Sequence, residues 1–443
     1  MNQRQPGTSL LSLPMSRRRF GSLAGAGTVA AATGLHLSPA MAESVEVTWC
    51  SWGNTGEVAN LKKFTEDYNA SQSDITVKYL PSPNDGYDAK LLTQLTGGTA
   101  PDLFYAGDGQ VSTIVKNAAA YDLTELLASD KCQSKPDQFA GDLWGPAKTA
   151  DGKYYGVPVD CNPLVLWYNK KILQDAGITE MPADTYEAGN WNWDTFQSIL
   201  DAVASKNKRG VVLADWWAPR YSWVTVNGGK LYDGGKFVGN EDAKTVEAFT
   251  WIQENLKANK FTFSGSLPKG QGDDAMFMSN QLAFVALGRW GLPLFRENSN
   301  LEYDIVPYPT NTGSKIEPAG VAVAYWMMNA STQHVDQAFQ FYTYFVSPDG
   351  QKGRLSDGGN AVPSITGVED LVVNDEQPEH AQYFLDARNI GYGPFADEVG
   401  TPGLATKVTD LFSKLWLDGG DVKTALDEIA KTANDAIASG SVG

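Results

Sequence analysis

Few residues of this 443-residue chain carry the side chains from which catalytic or metal centres are made. Beyond position 42 it keeps two histidines, His334 and His380, far apart in sequence and with no C-x-x-C or H-E-x-x-H pattern beside them. A zinc site or a histidine-based triad therefore has little to build on, and neither a metal nor a cofactor is expected. Cys50, Cys132 and Cys161 are an odd set that reads best as buried free thiols, with no pairing assignable from sequence. Two carboxylates, Asp108 and Asp160, follow predicted strands or connectors; such a pair set about 5 to 9.5 Å apart would suit glycoside hydrolysis. The remaining conspicuous groups are aromatic. Trp216 and Trp217 stand near Pro219, Arg220 and Tyr221, and each indole can bury roughly 150 to 250 Å², so the pair is either core or a platform for a ligand. Trp52-Gly53 and Gly288-Arg289-Trp290 are placed at the ends of apolar runs.

The elements that must position these groups alternate in type. Val45, Val47 and Trp49 alternate with polar residues and predict a strand running into the loop at Trp52-Gly53. A helix over 57–68, a strand over 75–79, a helix from 87 stopped by Gly97-Gly98, and a strand over 99–105 ending in Ala106-Gly107-Asp108-Gly109 follow. Strands separated by helices of that length need crossovers, hence a largely parallel sheet, and ligands collect beyond the carboxyl ends of such strands. Trp52, Gly53, Gly107 and Asp108 should thus share one rim. Residues 157–163, with Pro158 and Pro163, read as an extended connector carrying Asp160 and Asn162 into a new sheet, which starts with a buried strand over 164–168 and a helix ending at Gly177. Further on the pattern predicts a helix after Trp191-Asn192-Trp193-Asp194, a strand over 211–213, an aromatic loop over 214–221, a helix over 241–256 and a strand over 281–287. Two more crossings are read at 308–313 and 356–363, either side of a strand over 320–328 and a helix from 331 ahead of Pro348. Helices around 404–416 and 422–437 close the chain.

The first 42 residues have the order of an export signal: Ser16-Arg17-Arg18-Arg19-Phe20, a mildly apolar Gly/Ala-rich stretch over 21–37, and Ala40-Met41-Ala42 as a cleavage pattern. The paired arginines suggest twin-arginine export, and the short apolar stretch argues against a membrane anchor. The chain carries a net charge of −17, and this leader holds arginines and no acid, so the remainder is more acidic still. That balance argues against nucleic acid or direct membrane insertion and favours solubility.

Several motifs occur together in a fixed order: the opening strand into Trp52-Gly53; Leu92-Thr93-Gln94-Leu95-Thr96-Gly97-Gly98-Thr99-Ala100-Pro101-Asp102; Tyr155-Gly156-Val157-Pro158 ahead of Tyr168-Asn169-Lys170; Asp175-Ala176-Gly177; Trp191-Asn192-Trp193-Asp194-Thr195-Phe196; Gly288-Arg289-Trp290; and Gly358-Gly359-Asn360-Ala361-Val362-Pro363-Ser364. In this the chain resembles the periplasmic sugar-binding proteins of ABC importers, the extracellular solute-binding family that includes maltose-binding protein. The resemblance implies an α/β fold of the type II periplasmic binding protein kind: two lobes with central mixed, mostly parallel sheets joined by a three-segment hinge. It divides the chain into a signal peptide at 1–42, an N-terminal lobe of 43–159 plus 308–356, and a C-terminal lobe of 160–307 plus 357–443.

It also implies a non-catalytic, monomeric periplasmic receptor that closes on a carbohydrate and presents it to a membrane permease. Sugars present apolar C–H faces and a belt of hydroxyls, which aromatic rings and charged or amide side chains respectively hold. By family position Trp52, Gly107, Asp108, Asn162 and Trp290 fall in the cleft, with Trp216, Trp217, Arg220 and Tyr221 as candidates on the second lobe; Gly53, Asp160 and Asn360 complete the expected set. Where maltose-type members carry a carboxylate before the first crossing strand this chain has Asn162, and their C-terminal Trp has no match around Gly391-Tyr392-Gly393-Pro394-Phe395. A mono- or disaccharide is therefore as compatible as a maltodextrin. Other readings are an exported glycoside hydrolase using Asp108 and Asp160, or the same fold holding a polyamine, metal chelate or peptide.

Overall fold

A computed structural model of the chain describes residues 44–440, apart from 142, 269–270, 357 and 375. The expected export signal at 1–42 lies outside the described residues.

Two five-stranded sheets organise the fold. The first takes β1 (Val45–Cys50), β2 (Ile75–Tyr79), β3 (Leu103–Gly107) and β4 (Gly156–Pro163). The second takes β5 (Val165–Asn169), β6 (Arg209–Leu213), β9 (Phe261–Phe263), β10 (Leu282–Leu287) and β11 (Tyr303–Val306), with a small ribbon of β7 (Tyr232–Asp233) and β8 (Lys236–Phe237) outside it. The chain then returns to the first sheet with β12 (Val321–Met328), giving the orders β2-β1-β3-β12-β4 and β11-β5-β10-β6-β9. Both sheets are mixed: β1 is parallel to β2 and β3, and β6 to β9 and β10, whereas β12 and β5 run antiparallel to both of their neighbours.

β3, β10 and β12 read as nearly continuous apolar runs because both faces of these central strands are covered. On one face of the first sheet Trp49, Tyr105 and Trp326 pack against Phe341 and Phe345 of the helix Val335–Val346. On the other face Phe104, Val323 and Tyr325 pack against Leu91 and Ile114. The second sheet has its own core, joined by the C-terminal helices Leu404–Asp418 and Val422–Ser439. Among the described residues no helix is long and apolar enough to cross a membrane. All three cysteines are buried and free.

Two local readings change. The expected connector over 157–163 is itself a strand, β4, paired with β12 along its length, with Asp160 opposite Ala324 and Asn162 opposite Ala322. Its prolines are tolerated because β4 is an edge strand and Pro158 sits where the register with β12 shifts. The chain therefore reaches the second sheet only after Pro163. The aromatic stretch 214–221 is not a loop: Trp217–Thr225 is a helix, and Pro219 is accommodated in its first turn, where the backbone N–H has no intrahelical acceptor. Pro348 follows the end of the helix Val335–Val346 as expected, and it also opens a further helix, Pro348–Leu355, at its first position.

Candidate functional site

The carboxyl ends of β1 and β3 form one rim. Trp52 is half-buried and held edge-on between Tyr87 and Tyr105, at ring separations of 5.2 and 5.5 Å. Gly53 follows it, and a Cβ there would stand 3.1 Å from the Cβ of Glu57. Gly107 ends β3, and nothing lies within 4 Å of where its Cβ would be, which leaves the backbone beside Asp108 open to approach.

The opposing rim comes from the ends of β6 and β10. Four half-buried rings form a row: Tyr392 lies 6.1 Å from Trp217, Trp217 is 6.0 Å from Trp216, and Trp216 is 6.2 Å from Trp290. Two glycines make room for it. A Cβ on Gly288 would lie 2.3 Å from the Trp290 ring and 2.6 Å from the Cβ of Asn162, and one on Gly320 would lie 3.1 Å from the Trp217 ring.

The two rims touch. Trp217 donates its indole N–H to Asp108 Oδ2 at 3.2 Å, and Asn54 Nδ2 donates to the carbonyl of Trp290 at 3.0 Å. Burial pushes the Asp108 carboxyl up to about 7, against the lowering effect of the Trp217 N–H and neighbouring backbone N–H groups. A carboxyl that changes charge near neutrality thus faces an aromatic wall.

Behind this groove the remaining expected residues form a buried polar layer. Asn162 accepts the backbone N–H of Arg289 at 2.9 Å, tying β4 to the turn that carries Trp290. Asp160 pairs with Arg354, both side chains almost without solvent contact. Asn360 donates to Glu57 at 3.1 Å and lies 3.5 Å from Asp160. Burial raises the Glu57 carboxyl to about 7, with the nearby Asp160 charge adding to it. Sequence reading missed Glu57, because Asn54-x-x-Glu57 is legible only as a helix cap, which it also is.

Arg220 and Tyr221 do not join the rim. Both are buried in the second core: the Arg220 guanidinium lies 4.4 Å from the Phe412 ring centre and 4.9 Å from that of Tyr221. The Tyr221 hydroxyl donates to Glu398 at 2.8 Å, alongside Tyr232 at 2.7 Å. The helix starting at Trp217 carries them below the surface that Trp216 and Trp217 occupy. Tyr392, left without a role by its sequence, completes the row instead.

Asp304, Glu379 and His380 converge at the far end of the second sheet. Lys170 pairs with two of them, 3.6 Å from Asp304 and 3.3 Å from Glu379, and Asp304 also accepts from Tyr168 and His380. The cluster ties segment 379–380 to β5 and β11. A cavity of about 650 Å³ lies where the helices Trp193–Ser205, Ala243–Lys257 and Leu404–Asp418 end, also away from the aromatic row. Its Lys208, Arg209 and Lys257 stand beside helix carboxyl termini, whose partial negative charge accounts for them.

Residues 62–382 match the family described as bacterial extracellular solute-binding protein. The chain is 26% identical over 326 residues to the diacetylchitobiose binding protein DasA of Streptomyces coelicolor, covering 69% of this chain and 70% of that one. It is 28% identical over 428 residues to a lactose-binding protein of Rhizobium radiobacter, covering 89% and 92%. Among solved structures it is similar to an ABC substrate-binding protein from Listeria monocytogenes in complex with cycloalternan, with a TM-score of 0.78 at 20% identity, covering 89% of this chain and all of that one.

Proposed function

The chain belongs to the bacterial extracellular solute-binding proteins, and from that premise we propose that it is the sugar-binding receptor of an ABC importer. It captures a mono-, di- or short oligosaccharide in the groove between the two sheets and delivers it to a membrane permease. The observation that carries this reading is the row Tyr392–Trp217–Trp216–Trp290, whose Trp217 meets Asp108 of the other rim. Indole and phenol rings stack on the apolar faces of pyranoses, and the carboxyl and the open backbone at Gly107 take hydroxyls. That relatives are named for diacetylchitobiose and lactose supports a di- or oligosaccharide.

On this reading Trp52, Gly53, Gly107, Asp108, Trp216, Trp217, Trp290 and Tyr392 contact the ligand. Asn162, Asp160 and Asn360 hold the crossings behind them. The lobes divide by sheet, with segment 44–163 and the β12 region through Leu355 forming one, and the segment from β5 to β11 with the C-terminal helices forming the other. The protein performs no bond chemistry: Asp160, the partner a hydrolase would need for Asp108, has its carboxylate engaged by buried Arg354. It acts as an exported periplasmic monomer after loss of its leader.

Tryptophan fluorescence of the chain from residue 43, titrated with mono-, di- and oligosaccharides, tests the reading, because the indoles report directly on the groove. Saturable binding of at least one sugar is expected. No response across the panel, or release of reducing ends on incubation, contradicts it.

A further inference from the structure

Polar contacts join residues packed with the first sheet to residues packed with the second. Most of them involve the groove or the crossings: Trp217 to Asp108, Asn54 to the Trp290 carbonyl, and Arg289 N–H to Asn162. One does not. Lys116, at the end of the helix Val111–Lys116 that follows β3, donates its ammonium to the carbonyl of Gly400 at 2.6 Å.

Each end of this contact is anchored in a different half. Val111 and Ile114 of the Lys116 helix are buried in the core of the first sheet. Gly400 follows the short helix Ala396–Val399, whose Glu398 accepts from Tyr221 and Tyr232 in the second core. Neither Lys116 nor Gly400 is part of the aromatic groove. The contact exists only while the two halves stand as they do here, so it stabilises that arrangement whatever occupies the groove.

We propose that Lys116 is a positioning residue that sets ligand affinity by favouring closure, without touching the ligand. The inference rests on the receptor reading above. A ligand that needs the closed arrangement binds with an apparent Kd equal to its intrinsic Kd divided by the closed fraction, so removing the clasp weakens every ligand by one common factor. Because the contact is exposed, that factor is about three- to fivefold.

The test uses Lys116→Met, which keeps the apolar stem and removes the ammonium, and Lys116→Arg, which restores a donor. Spin labels at Lys62→Cys and Lys431→Cys, both exposed, report the separation of the halves, and the native cysteines are buried and will not label. In ligand-free protein Lys116→Met should lose the shorter part of the distance distribution, and its Kd should rise by the same three- to fivefold for each sugar bound. Lys116→Arg should recover both. Unchanged distances, or a loss confined to one sugar, overturn the proposal. If the wild type binds no sugar in the panel, the receptor reading fails, while the distance measurement still decides the role of Lys116.

Discussion

The indole of Trp217 hydrogen-bonds the carboxylate of Asp108 across the boundary between the two sheets, at 3.2 Å. One partner directly follows β3 of the first sheet and the other opens the helix after β6 of the second. On the proposed receptor reading, a ligand hydroxyl entering the groove would compete for the Asp108 oxygen while the indole face stays available for stacking. On that reading closure and recognition would draw on the same two residues.

Asp108 should make stability depend on pH. Its carboxyl is raised by burial to about 7, so the folded chain holds this proton more tightly than the unfolded one. The resulting stabilisation is complete below the ordinary aspartate range and is lost as pH rises through about 7. Asp108→Asn should flatten the fall in melting temperature between pH 5 and pH 8, whatever constant offset it adds. An unaltered slope would place the titration elsewhere, Glu57 being the first alternative since it is raised in the same direction.

Arg220→Ala should damage the fold and spare recognition. The guanidinium is buried against Phe412 and Tyr221 with Asp215 at 3.9 Å, so its loss leaves a void beside a carboxylate and should cost about 3 kcal/mol in urea denaturation. Affinity measured below the new melting transition should remain within about twofold, as expected for a residue outside the groove.

Gly288→Ala should do the reverse in part. The added methyl meets the Trp290 ring at 2.3 Å and Asn162 at 2.6 Å, so the ring must move. A loss of about 1 to 3 kcal/mol of stability is expected from such overpacking, together with weaker sugar binding. Normal binding would detach the Trp290 orientation from recognition.

Asp160→Ala should destabilise by about 3 to 5 kcal/mol, since it leaves buried Arg354 without its counter-charge. Replacing both, as in Asp160→Ala with Arg354→Met, should recover part of that cost. If the single variant is as stable as the wild type, the ion pair is not formed as described.

Much of this was legible in the sequence because the relevant signals are local. Alternating Val45, Val47 and Trp49, and the apolar run 164–168, mark strands whatever surrounds them. Asp108 could be set on a rim because strand ends in α/β sheets converge there, whereas Trp290 was reached through the family resemblance. The stretch 214–221 was misread because turn-forming and bulky residues there resemble a loop. The buried face of the helix Trp217–Thr225 is defined by partners in the second core that are distant in sequence, Tyr221 packing on Phe395 and Phe412 and Arg220 on Phe412. One helical turn, about 5 Å, carries Tyr221 and Arg220 from the rim into that core. Tyr392 too joins the row only through a residue distant in sequence, Trp217. The prolines of 157–163 likewise concealed β4, because an edge position is not visible from sequence.

The central claim is that a sugar is held between Trp290 and the groups facing it. Calorimetric titration of the wild type and Trp290→Ala with the same sugar panel tests this most directly. The account predicts one-to-one binding of at least one di- or oligosaccharide by the wild type and a loss of about 2 kcal/mol, some thirtyfold in Kd, in Trp290→Ala. Equal affinities in the two proteins would contradict it.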